Sequence, residues 1–532
     1  MTAGSRRSSL LFGIIGLVSS LAAASYTARA VDVSVFPTGG QYSGDTWLTY
    51  NNTFEGQRFS ALKQITPANV AQLKEACRIK IGRSGAFQPG LIMVEGTLYA
   101  TFDTETLALD PTNCKVRWRA AYKPDQEEAW HVNRGVAFLD GRLFRGTGDA
   151  RLIALDAKTG KVLWKDVVGN AALGEFIAAA PIAWNGMIFV GIAGGDWGIR
   201  GRILAFDALT GREIWRFYTI PTGDEKGSDS WKLDSGKRGG GGSWTTYTLD
   251  VSQSELFVPV GNPAPDFVST DREGANLFSD SFVVLDAHTG ALKWWYQLRS
   301  KDSHDVDLAA APMIYSNSKG DGVVVAGGKD GRVYAVDRAT HKLIFKTEIT
   351  TIKNDTVDPT EAGVVICPGV FGGVEWNGPA FDNSKKTIYV GSVDWCSNLS
   401  SQTPQYMPGK PYLGGDFKQE SKASGWVTAI DSDTGAVRWK YHADAPVVAG
   451  VTPTAGGVLF TGDMKGNFLI FDSKSGNLLR KTPTGGALAG GMITYEQNGK
   501  QYVAFSSGNV SRSLWGVVGL PTIIIMRGGA EN

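Results

Sequence analysis

The chain has little of what would tie it to a polyanion, a bilayer or a haem. Its 53 basic and 52 acidic side chains leave a formal charge of +1, with the two signs interspersed. No basic stretch points to nucleic acid or to an acidic membrane surface. Past the N-terminus no apolar run approaches the roughly 20 residues that a membrane-spanning helix needs, and Ile523–Met526 reads as a strand. Cysteine occurs four times in 532 residues and nowhere as Cys-x-x-Cys-His, so the chain carries no c-type haem of its own.

The one sustained apolar run, Leu10–Ala24, follows Arg6-Arg7 and precedes Ala28-Arg29-Ala30. This is the layout of an export signal over 1–30, cleaved after Ala30 and read by the twin-arginine or the general route. An uncleaved anchor is the alternative. Export to the periplasm permits disulfides. Cys77 and Cys114 flank the first of the repeats below, and Cys367 and Cys396 flank the sixth; pairing them so is the most local of three connectivities.

Glycine is abundant, at 67 residues against a norm of roughly 7%, which suits a turn-dense β protein. One phrase also recurs: a small or apolar residue, an aliphatic residue, Asp, then Thr-Gly or a degraded form, then an aromatic eight residues after the Asp. It pairs Asp110 with Trp118, Asp156 with Trp164, Asp207 with Trp215, Asp286 with Trp294, Asp337 with Phe345 and Asp431 with Trp439. A seventh copy at Asp472 keeps Gly476 and has Arg480 in the aromatic position. Around each Asp, short apolar runs alternate with tight turns, so each repeat predicts three or four antiparallel strands. One such sheet cannot bury both faces alone, whereas sheets packed radially can. The aromatic is large enough to fill the space between neighbouring sheets.

The Asp positions lie 46, 51, 79, 51, 94 and 41 residues apart. The long intervals hold insertions at about 222–242, 263–278 and 397–425. Seven marked repeats, with the C-terminal residues and a non-repeating N-terminal stretch building one more, predict an all-β, eight-bladed propeller of four-stranded antiparallel blades over 31–532. Seven blades is the alternative count.

Four segments interrupt the repeats with polar residues. Gly194-Gly195-Asp196 lengthens a turn and can bring amides and a carboxylate to a ligand. Asn262, in Gly261-Asn262-Pro263-Ala264-Pro265-Asp266, offers a neutral oxygen to a hard cation. Asp305 and Asp307 alternate, so in a strand both face one side, where they repel unless a cation or proton lies between them; His304 then points away, in a structural role. Gly239–Gly242 leads to Trp244, free to lie flat against a planar ligand. Arg134 and Lys329 could neutralise an anionic one. A bland turn, strand exit or solvated loop accounts for each segment taken singly; together they suit a hard metal and a planar, anionic cofactor.

With these residues the chain resembles the pyrroloquinoline quinone (PQQ)-dependent alcohol dehydrogenases of the methanol and ethanol dehydrogenase type. The resemblance runs from Trp47 to Trp439 and includes Arg58–Ile65 with Asn69-Val70, Trp215–Pro221, Gly194–Gly201 and Gly261–Pro265. It implies a cation, calcium or lanthanide, held by Asp196 (usually Glu in the family), Asn262 and Asp305. Asp305 is also the implied catalytic base. Asp307 falls where lanthanide-using members carry an extra Asp. Trp244 is the implied floor under PQQ, Arg134 and Lys329 bind its carboxylates and quinone oxygens, Gly194 and Gly195 approach it, and Gln88 stands where many relatives have Glu. The family's adjacent-cysteine disulfide is missing, with Glu128 and Ala129 in its place. Ala178 and Ala193 replace hydroxyl residues, and His304 replaces a Trp.

The implied activity is oxidation of an alcohol to aldehyde or ketone, with electrons leaving to a separate acceptor such as cytochrome c. A sugar or aldose dehydrogenase on the same fold, and a non-enzymatic envelope scaffold sharing the repeated phrase, are the competing readings. The insertions 222–242 and 397–425 are expected to form a lid that sets specificity.

Overall fold

A computed structural model describes residues 1, 2, 4, 44–83, 85–232, 235–511, 515 and 519–528. Apart from residues 1, 2 and 4, the export signal lies outside the described residues. The strands fall in one compact unit, Pro37–Asn532. Among the described residues they make eight four-stranded antiparallel sheets and one three-stranded sheet. The eight are the blades of a propeller, as the repeats predict.

Blade 2 shows how the phrase builds a sheet. Its strands are Ala137–Leu139, Arg142–Gly146, Arg151–Asp156 and Val162–Val167. The third strand is buried on both faces. Its Ile153 and Leu155 pack on blade 1 with Ile92, Val94 and Ala108, whereas Leu152 and Ala154 pack on blade 3 with Ile188, Val190 and Leu204. A strand whose side chains alternate between two cores must be apolar throughout. That is why the residues before each Asp form a continuous apolar run.

The Asp ends this strand by ordering the turn. Asp156 Oδ1 accepts from the Thr159 amide at 2.8 Å and from its hydroxyl at 2.7 Å, and Gly160 takes φ 72°. The small residue that opens the phrase faces the aromatic across the ladder: Ala108 opposite Trp118, Ala154 opposite Trp164, Ala205 opposite Trp215 and Ala429 opposite Trp439. A bulge follows at once in each case, adding twist to the outer strand.

The aromatic does not simply fill space between sheets. It docks on the turn of the next blade. A Cβ at Gly160 would lie 2.6 Å from Trp118, one at Gly211 2.9 Å from Trp164, and one at Gly290 2.6 Å from Trp215. Each indole N–H also donates to that turn, Trp118 to the Ala157 carbonyl at 3.0 Å and Trp215 to that of Ala287 at 3.1 Å. The Thr-Gly of one repeat is therefore the seat for the Trp of the repeat before it.

The departures from the phrase follow the same logic. His341 stands in the glycine position of blade 5, and Trp294 stacks on it at 4.2 Å. Blade 8 has no such turn. It comprises Met492–Gln497, Lys500–Ser507 and Thr522–Arg527, with Lys74–Lys80 as its fourth strand, so Arg480 replaces the aromatic and donates to the Leu73 and Val70 carbonyls at 2.6 and 3.1 Å. At the last junction Cys114 occupies the glycine position, with φ 60°, and bonds Cys77 in the outer strand of blade 8. A disulfide thus stands where most other junctions place an aromatic ring on the turn. Blade 6 comprises Ala380–Asp382, Thr387–Asp394, Ser424–Asp431 and Val437–Ala443, with an insertion between its second and third strands; the second disulfide, Cys367–Cys396, joins the loop after Val364–Ile366 to the start of that insertion. That insertion supplies Ser397–Ser401 and Gly415–Gln419, which with Val364–Ile366 form the small three-stranded sheet.

Candidate active site

All ten non-cysteine site residues inferred from the sequence line one cavity: Gln88, Arg134, Gly194, Gly195, Asp196, Trp244, Asn262, Asp305, Asp307 and Lys329. They arrive on loops from several blades. Asp196 sits in a single 3-10 turn, Gly195–Trp197, between the strands Met187–Gly191 and Arg202–Asp207. Gly194 opens that turn at φ 108°, where a Cβ would lie 2.1 Å from the Gly174 carbonyl oxygen, so no other residue fits.

The glycine run before Trp244 is packed backbone on backbone. Gly241 N–H donates to the Asn262 carbonyl and Gly261 N–H to that of Gly242, both at 2.8 Å. A Cβ on Gly240 would come within 2.8 Å of the Ala264 nitrogen. The run therefore fixes Asn262 and Trp244 side by side.

Asp305 and Asp307 do face one side, but not from a strand. They lie in the loop before Met313–Ser316, with φ 59° and 22°. The cation between them is Lys329, whose Nζ is 3.0 Å from Asp305 Oδ2 and 3.1 Å from Asp307 Oδ2. Asp307 Oδ1 accepts from the Asn262 amide at 2.9 Å and the Trp244 indole at 3.3 Å. His304 is turned away, bonding Arg299 at 2.8 Å and the Val357 carbonyl at 2.7 Å. Burial alone would lower the Lys329 pKa, but Asp305 and Asp307 more than offset it and hold the ammonium well above its ordinary value. Burial pushes Asp305 well up, against Lys329 and with Asp307, and pushes Asp196 to about 6, helped by Asp307.

Several participants were not legible as such. Asp266 is buried and brings a carboxylate oxygen within 4.8 Å of those of Asp196 and Asp305. Glu375 is buried beside Lys329 and Arg134, with its pKa raised to about 7 by burial. Trp376 and Trp244 sandwich the Arg134 guanidinium at 4.9 and 4.8 Å. Trp130, Phe176 and Trp197 form an aromatic cluster on the side where Glu128 and Ala129 replace adjacent cysteines; Ala178 and Ala193 belong to this apolar wall. The sequence signal for Asp266 was its place after two prolines; Glu375 and Trp376 had none.

The residues fit both groups that the resemblance implies. For a hard cation, Asp196, Asp266, Asp305 and Asn262 are all oxygen donors, and Asp266 Oδ1 is buried without a hydrogen-bond partner in the protein. For a planar anion, Arg134 Nε and Gln88 Oε1 are likewise buried and unpartnered; both residues line the cavity, with Arg134 over the Trp244 indole. Unmet buried polar atoms are costly, so these atoms are candidates to meet a ligand.

Comparison with known proteins agrees. Residues 47–362 match the family model described as glucose/ethanol/alcohol dehydrogenase, beta-propeller domain, of PQQ proteins. Residues 423–518 match the repeat model of the outer membrane protein assembly factor BamB. The chain is 30% identical to the quinoprotein alcohol dehydrogenase PedH of Pseudomonas putida, over 87% of this chain and 86% of that one. It is 29% identical to the lanthanide-dependent methanol dehydrogenase of Methylacidiphilum fumariolicum, over 94% and 90%. A solved europium-containing methanol dehydrogenase superposes with a TM-score of 0.85 at 27% identity, covering 91% of this chain and 98% of that one. The chain belongs to the PQQ-dependent quinoprotein alcohol dehydrogenase family.

Proposed function

We propose that the protein oxidises a primary or secondary alcohol to the aldehyde or ketone, using PQQ and one calcium or lanthanide ion, and passes the electrons to a separate acceptor such as a soluble cytochrome c. The observation that carries this reading is the convergence of Asp196, Asn262 and Asp305 as oxygen donors beside the Trp244–Arg134 stack. The absence of a haem motif supports an external acceptor, and the two disulfides support export to the periplasm.

Bound PQQ supplies a two-electron acceptor, and the cation supplies Lewis acidity. The chain's own residues bind, orient and move a proton. Asp196, Asn262 and Asp305 would hold the cation. Trp244 would stack on the cofactor, Arg134 and Gln88 would meet its polar groups, and Gly194 and Gly195 would let the backbone come close. Asp305 takes the alcohol's hydroxyl proton. Its burial makes it a stronger base than a surface carboxylate, and Lys329 opposes that rise by favouring the ionised form. The apolar wall of Trp130, Phe176 and Trp197 excludes water from the reacting carbon.

The test is dye reduction by the protein loaded with PQQ and either metal, across a panel of primary, secondary and sugar alcohols. Metal-dependent reduction with simple alcohols supports the reading. Reduction with aldoses alone would move the substrate to the sugar class, and no reduction with any would refute it.

A further inference from the structure

Asp266 is an acidic residue of the site that the reading above leaves unused. It is 2% exposed, and its Oδ1 has no partner in the protein, although a buried carboxylate oxygen ordinarily finds one. Its carboxylate closes a triangle with those of Asp196 and Asp305. Asp307, by contrast, is fully engaged, with one oxygen taking the Asn262 and Trp244 N–H groups and the other taking Lys329.

The backbone on both sides of Asp266 is fixed. Arg272, fully buried, donates to the Pro265 carbonyl from Nε at 3.2 Å and from a terminal nitrogen at 3.0 Å, and also to Asp302. On the other side the Phe267 amide donates to the Leu413 carbonyl at 2.8 Å. The neighbouring Tyr412 amide donates to the Asp196 carbonyl at 2.6 Å. Two consecutive residues of the blade 6 insertion therefore tie the Asp266 segment to the Asp196 turn.

We propose that Asp266 is a direct ligand of the cation, and that Asp196, Asp266 and Asp305, with Asn262, give the site three negative charges that favour a trivalent over a divalent ion. Asp307 serves Lys329 instead. This rests on the metal-dependent reading above. Three carboxylates this close repel one another, and the Lys329 ammonium contacts only Asp305 among them; a 3+ ion gains more from them than a 2+ ion does. The insertion 397–425 is then a brace for the metal site as well as part of its surroundings.

The test uses the full-length metal-free protein with terbium and calcium separately, read by indole-sensitised terbium luminescence, by calorimetry and by the metal-induced rise in melting temperature. Asp266→Asn should weaken terbium binding by about tenfold or more, with a smaller loss for calcium. Asp266→Asn with Asp196→Glu, whose arm is one methylene longer, should recover part of the terbium affinity, which a merely structural role for Asp266 would not allow. Asp307→Asn should change terbium affinity less than Asp266→Asn does. If the parent binds terbium and Asp266→Asn binds it equally, or Asp307→Asn costs more, the proposal fails and the metal-dependent reading stands. If the parent binds neither ion, both fail.

Discussion

At the scale of single residues, the site is a balance of buried charge. Lys329 holds Asp305 and Asp307 in one geometry, and removing it leaves two carboxylates uncompensated. Lys329→Met should cost about 3–5 kcal/mol, as breaking a buried pair does, measured by thermal or denaturant unfolding of the metal-free protein. Asp305→Asn removes the proposed base but keeps the shape. It should lower kcat by about 10²–10⁴-fold while the protein still takes up PQQ; near-parental turnover would refute its role. Glu375 gives a pH signature. Its folded pKa, raised to about 7 by burial, exceeds the unfolded value, so its contribution to stability is present below about 4.5 and is lost as pH rises through about 7. The metal-free protein should lose stability over that window, and Glu375→Gln should remove up to about 3 kcal/mol of the change. Asp196, Asn262, Asp305 and Trp244 were legible because each interrupts a repeat. Asp266 and Glu375 were not, because their meaning lies in which loops of other blades they meet.

At the scale of the element, the recurring phrase encodes a strand, a turn and a docking contact to the next blade. The strands and turns were readable from alternation and from Asp-x-x-Thr-Gly. The docking was not, because it joins a Trp to a glycine in a different repeat. Trp215→Ala should cost about 3–5 kcal/mol, the range for a large buried aromatic, since it loses both its packing on Gly290 and its bond to Ala287. Gly290→Val should destabilise through the same contact, and calorimetric melting compares the two. Asp305 and Asp307 teach the opposite lesson: period-two spacing placed them correctly on one side, but positive φ in a loop does the work that a strand was expected to do. The insertion 397–425 likewise supplies two of the three strands of a small sheet and is hydrogen-bonded to Asp196 and Phe267 through Tyr412 and Leu413.

At the scale of the whole molecule, the ring is closed by Lys74–Lys80 joining the last blade, and the Cys77–Cys114 disulfide replaces the missing aromatic seat at that junction. Replacing both cysteines by Ser should lower stability by about 2–4 kcal/mol, measured by unfolding under oxidising conditions. The eightfold closure was legible from seven repeats and two leftover stretches. That loops of several blades deliver polar side chains to one cavity was suggested by the segments that interrupt the repeats and made specific by the family resemblance. The most direct test of that shared cavity is uptake of PQQ by the purified protein with calcium or lanthanum, followed by removal of free quinone, absorption spectroscopy and tryptophan fluorescence. One metal-dependent quinone per chain, with quenched indole emission that Trp244→Ala diminishes, is the predicted result. No retained quinone with either metal would contradict the account.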